Sequence, residues 1–158
     1  MSGKSRMLEQ VAQVSFFTVS ICLRTKSIEM PPKQSKAVLD VMGLASRTSA
    51  EVLMMCLIKA YIKEFMQWLI SEKRNSSQPT PYNWHKYQTS EVDQRVGDAV
   101  DKAIFNADYD WGMSDWASVS NGLRQFYNES HSLDILFVFD EARELLNRVD
   151  KNNRTLFR

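Results

Sequence analysis

The chain has 158 residues, 44% hydrophobic and 25% charged, with 20 Lys and Arg against 19 Asp and Glu and a formal net charge of +1. This balance describes one globular domain and lacks the strongly basic footprint of a protein that coats nucleic acid unaided. With only 5 Gly and 4 Pro, collagen-like, low-complexity and turn-dense all-β architectures lose their support, and helices become the expected element. Cys22 and Cys56 form no spacing pattern, so neither a disulfide framework nor a zinc site is expected, and the expected setting is intracellular and reducing. No apolar run approaches the roughly 18 residues of a membrane span, and Val11–Leu23 is broken by Gln13, Ser15, Thr18 and Ser20. No membrane contact is expected.

In chain order, Leu8, Val11, Val14, Phe17 and Ile21 recur at helical steps of three and four. The β-branched residues crowding Ser15–Leu23 also fit a strand, so this segment is open to two readings. Pro31-Pro32 leads into a short helix over about Lys33–Met42, with Gly43 placed to stop it at positive φ. Thr48-Ser49-Ala50-Glu51 reads as a capping box, with Thr48 at the cap. From there to about Glu72, Val52, Met55, Ile58, Ile62, Phe65, Met66 and Leu69 predict a helix of about 25 residues, roughly 37 Å long. Such a helix needs partners along its whole length.

The polar, proline-punctuated Arg74–Pro81 is the one clear linker, followed by the aromatic cluster Tyr82, Trp84 and Tyr87 beside His85 and Lys86. Val92, Val96, Ala99, Val100, Ala103 and Ile104 predict a helix over Glu91–Phe105. Further helices are expected over Trp116–Tyr127 and from Ser132 to about Val149, although Leu133–Phe139 alone also reads as a strand. The polar tail from Asp150 is expected to fray.

Catalysis requires titratable groups brought together, and this sequence offers no such set. His85 and His131 lie far apart in polar sequence and read as surface or capping residues. None of the glycines is grouped into a phosphate-cradling loop. Asp108, Asp110 and Asp115 lack the central glycine and closing glutamate of a calcium loop and interleave with Tyr109, Trp111 and Trp116. Met54, Met55 and Met66 read as helix-packing residues. No catalytic residue, metal site or cofactor is therefore expected, and the chain reads as non-enzymatic. Its basic residues Lys33, Lys36, Arg47, Lys73, Arg74 and Lys86 fall at helix ends and loops, where phosphate oxygens can be clamped without base readout.

Short helix, long helix, shorter helix is also the order of the histone fold, and some residues fit that pattern. Met30–Leu69, MPPKQSKAVLDVMGLASRTSAEVLMMCLIKAYIKEFMQWL, resembles the first two helices of the branch containing the gamma subunit of nuclear factor Y and the small accessory subunits of DNA polymerase epsilon and chromatin-accessibility complexes. Ala60-Tyr61-Ile62-Lys63-Glu64-Phe65 takes the place of that branch's closing Phe-Ile/Val-x-Glu-Leu pattern, and His85–Val92 resembles the basic loop that opens its third helix. Gln34, Ser35 and Cys56 depart from the pattern, as does the Asn75–Trp84 insertion.

The resemblance implies an all-α histone fold over 30–105, with an N-terminal extension over 1–29 and a C-terminal helical extension over 106–158. It further implies an obligate heterodimer with a complementary histone-fold subunit, sharing Met55, Ile58, Ile62, Met66 and Leu69 across the interface. Duplex DNA would be held through phosphates by Lys33, Lys36, Arg47 and Lys86, in a nuclear setting and within a larger chromatin or replication assembly. Two rival readings come from the residues themselves. One is a helical adaptor or inhibitor whose Met-rich helix docks in a protein groove without touching DNA. The other is a closed helical bundle sealed by its last helix.

Overall fold

The computed structural model describes residues 16–23, 48–75, 79–88, 92–105 and 135–140, together with a few isolated positions. Among the described residues five elements follow in chain order: strand β1 (Phe17–Cys22), helices α1 (Ala50–Arg74), α2 (Pro81–Tyr87) and α3 (Asp93–Phe105), and strand β2 (Ile135–Asp140). The two strands form a parallel two-stranded sheet, in register from Phe17 opposite Ile135 to Cys22 opposite Asp140. A parallel pair requires a long crossover, and here the three helices lie along it. The expected all-α histone fold is therefore overturned, and the architecture is mixed α/β.

Local chemistry explains both strands. Met7, Gln10 and Val11 are helical, but Phe16 is a bend and the chain then runs extended. Within Phe17–Cys22 the β-branched Thr18, Val19 and Ile21 lose side-chain freedom in a helix and fit a pleated surface. Ile135–Asp140, inside the stretch expected to carry the last helix, opens on five consecutive apolar residues, most of them β-branched or aromatic, a run too short to settle its own period.

The long helix matches its expectation closely. Its cap is Ser49, one residue beyond the expected Thr48, with the Val52 N–H donating to Ser49 Oγ at 3.4 Å. Thr48 is buried. Gly43 is helical and exposed, without the positive φ expected of a helix stop. The short helix α2 falls in the aromatic stretch after the linker, where no element is expected. Its Thr80 accepts from the Asn83 N–H at 3.2 Å and Pro81 fills the first turn, where a missing N–H does no harm.

The core lies between the sheet and the inner face of α1. Phe17, Val19, Ile21 and Leu23 project from one side of β1 and join Leu53, Leu57, Tyr61, Phe65, Trp68 and Leu69 of α1 in a single cluster. Ile135, Phe137 and Phe139 of β2 pack against it. Val96 and Val100 bring in one stripe of α3, continued by Val92 just before it, and Trp84 brings in α2. Rings fill the centre: Phe65 meets Phe17 at 5.4 Å and Trp84 edge-on at 4.8 Å between centroids. Such pairs add about 0.5–1.5 kcal/mol each beyond the area they bury. No described helix is long and apolar enough to cross a membrane.

Candidate functional site

Helix α1 presents two contrasting stripes. Leu53, Leu57, Tyr61, Phe65 and Trp68, at steps of four, four, four and three, share one face and are all buried. Met55, Lys63, Gln67, Ile70 and Arg74 fall on the opposite face and are all exposed, with half-buried Lys59 between the first two. This outer stripe runs roughly 28 Å along the helix. Its apolar members are well exposed: Met55 at 36% and Ile70 at 42%. On the neighbouring α2, Tyr82 is 54% exposed.

Among the described residues the exposed charges on α1 are basic, while half-buried Glu72 lies on the same helix and exposed Asp98 lies on α3, which packs against α1. The exposed charged side chains described on α1 and α2 are Lys63, Lys73, Arg74 and Lys86. Glu64 is half-buried and already engaged, since the Arg95 Nε donates to its Oε2 at 2.8 Å. The same guanidinium lies over the Tyr87 ring, 5.3 Å from the centroid, and donates to the Tyr87 hydroxyl. Partial burial is the largest influence on Arg95 and opposes its charge, but the attraction and hydrogen bonds of Glu64 and Tyr87 outweigh it and raise its pKa. Arg95 thereby joins α3 to both α1 and α2.

A second polar arrangement lies inside the fold. The Trp84 indole Nε1–H donates to the Thr18 carbonyl at 2.9 Å. Gln88, the C-cap residue of α2, donates from Nε2 to the Ser20 carbonyl at 2.6 Å and accepts the Ser20 N–H at 3.4 Å. Both side chains contact only backbone atoms of β1 in these bonds, and both residues are buried.

The residues expected at the two sites are distributed unevenly. Lys33, Lys36 and Arg47 lie outside the described residues, as do His131 and the Asp108–Trp116 stretch. Lys86 is exposed in the last turn of α2, and His85 beside it is half-buried. Of the expected interface residues, Ile62 and Leu69 are closed over by this chain itself, at 1% and 0% exposure. Met66 is half-buried against the core, Ile58 is half-buried, and only Met55 is exposed. Ile70 and Tyr82 were not among the expected site residues. The departure of Ile70 from the apolar face of α1 was the signal for it.

Among the described residues no group of three or more His, Cys, Asp or Glu is placed to hold a metal ion. Cys22 and Cys56 are both buried and not disulfide-bonded.

A family model described as a domain of unknown function, DUF8735, matches residues 1–158, and the chain belongs to that family. No curated protein and no solved structure matches it.

Proposed function

We propose that this DUF8735 chain is a non-enzymatic protein-interaction module that presents the outer stripe of α1 to a protein partner. The observation that carries this reading is the composition of the stripe, where exposed Met55 and Ile70 bracket Lys63 and Gln67 along one face. Exposed apolar side chains beside the exposed Lys63, Lys73 and Arg74 of the same helix suit a complementary surface that is apolar at its centre and acidic at its rim. A phosphate backbone would use the cations and leave Met55 and Ile70 without a counterpart. The near-neutral charge of the whole chain, +1, points the same way. The helix does not enter a partner's groove as a free ligand. Its inner face belongs to this chain's own core, so the partner meets one exposed stripe on a fixed scaffold.

A photo-crosslinking residue at Gln67, compared with one at Lys102 on α3, tests the reading in cells. The expected result is a discrete protein adduct from position 67 that disappears in the Ile70→Asp and Lys63→Glu variants and is absent from position 102. Adducts that ignore Ile70→Asp would reject the stripe as the contact. Salt-sensitive duplex DNA binding by the purified chain, lost in Lys63→Glu, would replace the protein partner with nucleic acid.

A further inference from the structure

In a parallel pair, alternate residues of a strand aim both backbone groups at the neighbour, and the residues between aim theirs away. The Leu23 N–H donates to the Asp140 carbonyl at 3.0 Å, which assigns the odd-numbered residues of β1 to β2. Thr18 and Ser20 therefore direct their N–H and C=O groups to the opposite side, where a third strand would lie. That side holds Trp84 and Gln88 instead. They are four residues apart and so share one face of α2. The Gln88 amide is a peptide group on a tether. It exchanges two hydrogen bonds with the single residue Ser20, as a residue of an antiparallel strand would.

β1 carries none of the features that ordinarily protect a strand edge. Phe-Thr-Val-Ser-Ile-Cys contains no charge, no proline and no glycine. It pairs residue for residue with β2, without a bulge. Its β-branched, uncharged character is that of a segment that pairs readily with copies of itself. Two identical edges would meet antiparallel about a two-fold axis, each supplying the bonds that the other lacks.

We infer that α2 is a built-in guard of the outer edge of β1: Trp84 and Gln88 occupy the Thr18 carbonyl and both backbone groups of Ser20 at its centre and so prevent strand pairing with a second copy of this chain. The guard acts by substitution. The bonds a foreign strand would offer to the Thr18 carbonyl and to both backbone groups of Ser20 are already made by side chains of the same chain, so association at the centre of the edge gains nothing until α2 lifts. The inference is independent of the α1 stripe, which lies on another surface.

The test uses the full chain with Trp84→Phe and Gln88→Met together, which remove the donors and the acceptor while nearly keeping their volumes. Light scattering across a wide concentration range is expected to show a reversible monomer to dimer shift that the parent chain lacks. Amide exchange of Ser20 is expected to accelerate about tenfold or more, while the Val19 and Ile21 amides facing β2 keep their protection. Adding Ser20→Lys should return the variant to monomer, since like charges near the two-fold axis repel. Aggregation through unfolding would not be reversed by that change. A double variant that stays monomeric with an exchanging Ser20 amide would overturn the proposal, as would a dimer indifferent to Ser20→Lys. Should the double variant fail to fold, Gln88→Met alone retains the indole bond and is held to the same two outcomes.

Discussion

β1 and β2 are each six residues long and lie side by side in register, yet their surroundings differ in an unexpected direction. β2, Ile-Leu-Phe-Val-Phe-Asp, is the more apolar strand, and none of its residues is fully buried. β1 contains Thr18 and Ser20, and every residue except Ser20 is buried. Apolar content therefore did not decide which strand occupies the interior. Position did: β1 lies between β2 on one edge and α2 on the other, with α1 over its face, and the outward Thr18 carbonyl and both Ser20 backbone groups find partners on α2. A central strand needs partners for its N–H and C=O groups more than it needs the most hydrophobic side chains.

The largest expected effect comes from removing what closes β1. Trp84→Ala should lower the unfolding free energy by about 3–5 kcal/mol, through lost burial, the cavity and an unpaired Thr18 carbonyl. Phe137→Ala on half-buried β2 should cost about half as much. Urea midpoints of the two variants provide the check, and equal shifts would erase the distinction between the strands. On a finer scale, Val19→Ala in β1 should destabilise by about 1–3 kcal/mol and Val138→Ala in β2 by less than about 1 kcal/mol. Chemical denaturation at one temperature resolves that difference.

The smallest effect belongs to the Arg95–Glu64 pair, whose Arg95 side chain is 43% exposed. A double-mutant cycle with Arg95→Ala and Glu64→Ala should give a coupling below about 1 kcal/mol that declines with added salt. The sign of its pH dependence follows from the raised pKa of Arg95. A cation with a raised folded-state pKa contributes stability below its unfolded pKa and loses it only as pH rises through the folded value. Both the ordinary guanidinium value and the raised folded value of Arg95 lie far above neutral pH, so titration of Arg95 should leave stability flat between neutral and mildly alkaline pH.

The helical half of the molecule was legible because α1 and α3 repeat their apolar residues over many turns. The strands were ambiguous for a physical reason. Phe17 and Ile21 satisfy a helical i, i+4 step, while Phe17, Val19 and Ile21 satisfy a strand's period of two, so a short segment fits both templates. Burial on both faces of β1 also removes the polar alternation that would have separated them. In β2 the apolar run has no period at all. Helix α2 is too short to establish a pattern, although Thr80-Pro81 was a readable start signal. The Gln88 contact left no local trace, since its partner Ser20 is 68 residues away. The exposed stripe of α1 was half legible: Lys63 and Arg74 look like surface residues, but Ile70 matters only once the inner face is known.

The long separation between β1 and β2 bears on how the chain is made. A ribosome releases Phe17 far ahead of its register partner Ile135, so β1 exists for much of synthesis without the strand that will complete its sheet. Trp84 and Gln88 emerge in that interval, 66 and 68 residues behind the carbonyls they bind. The order of elements lets a nascent chain shelter one side of a pairing-prone segment before the other side can close, during the period when crowded polysomes bring identical copies closest together.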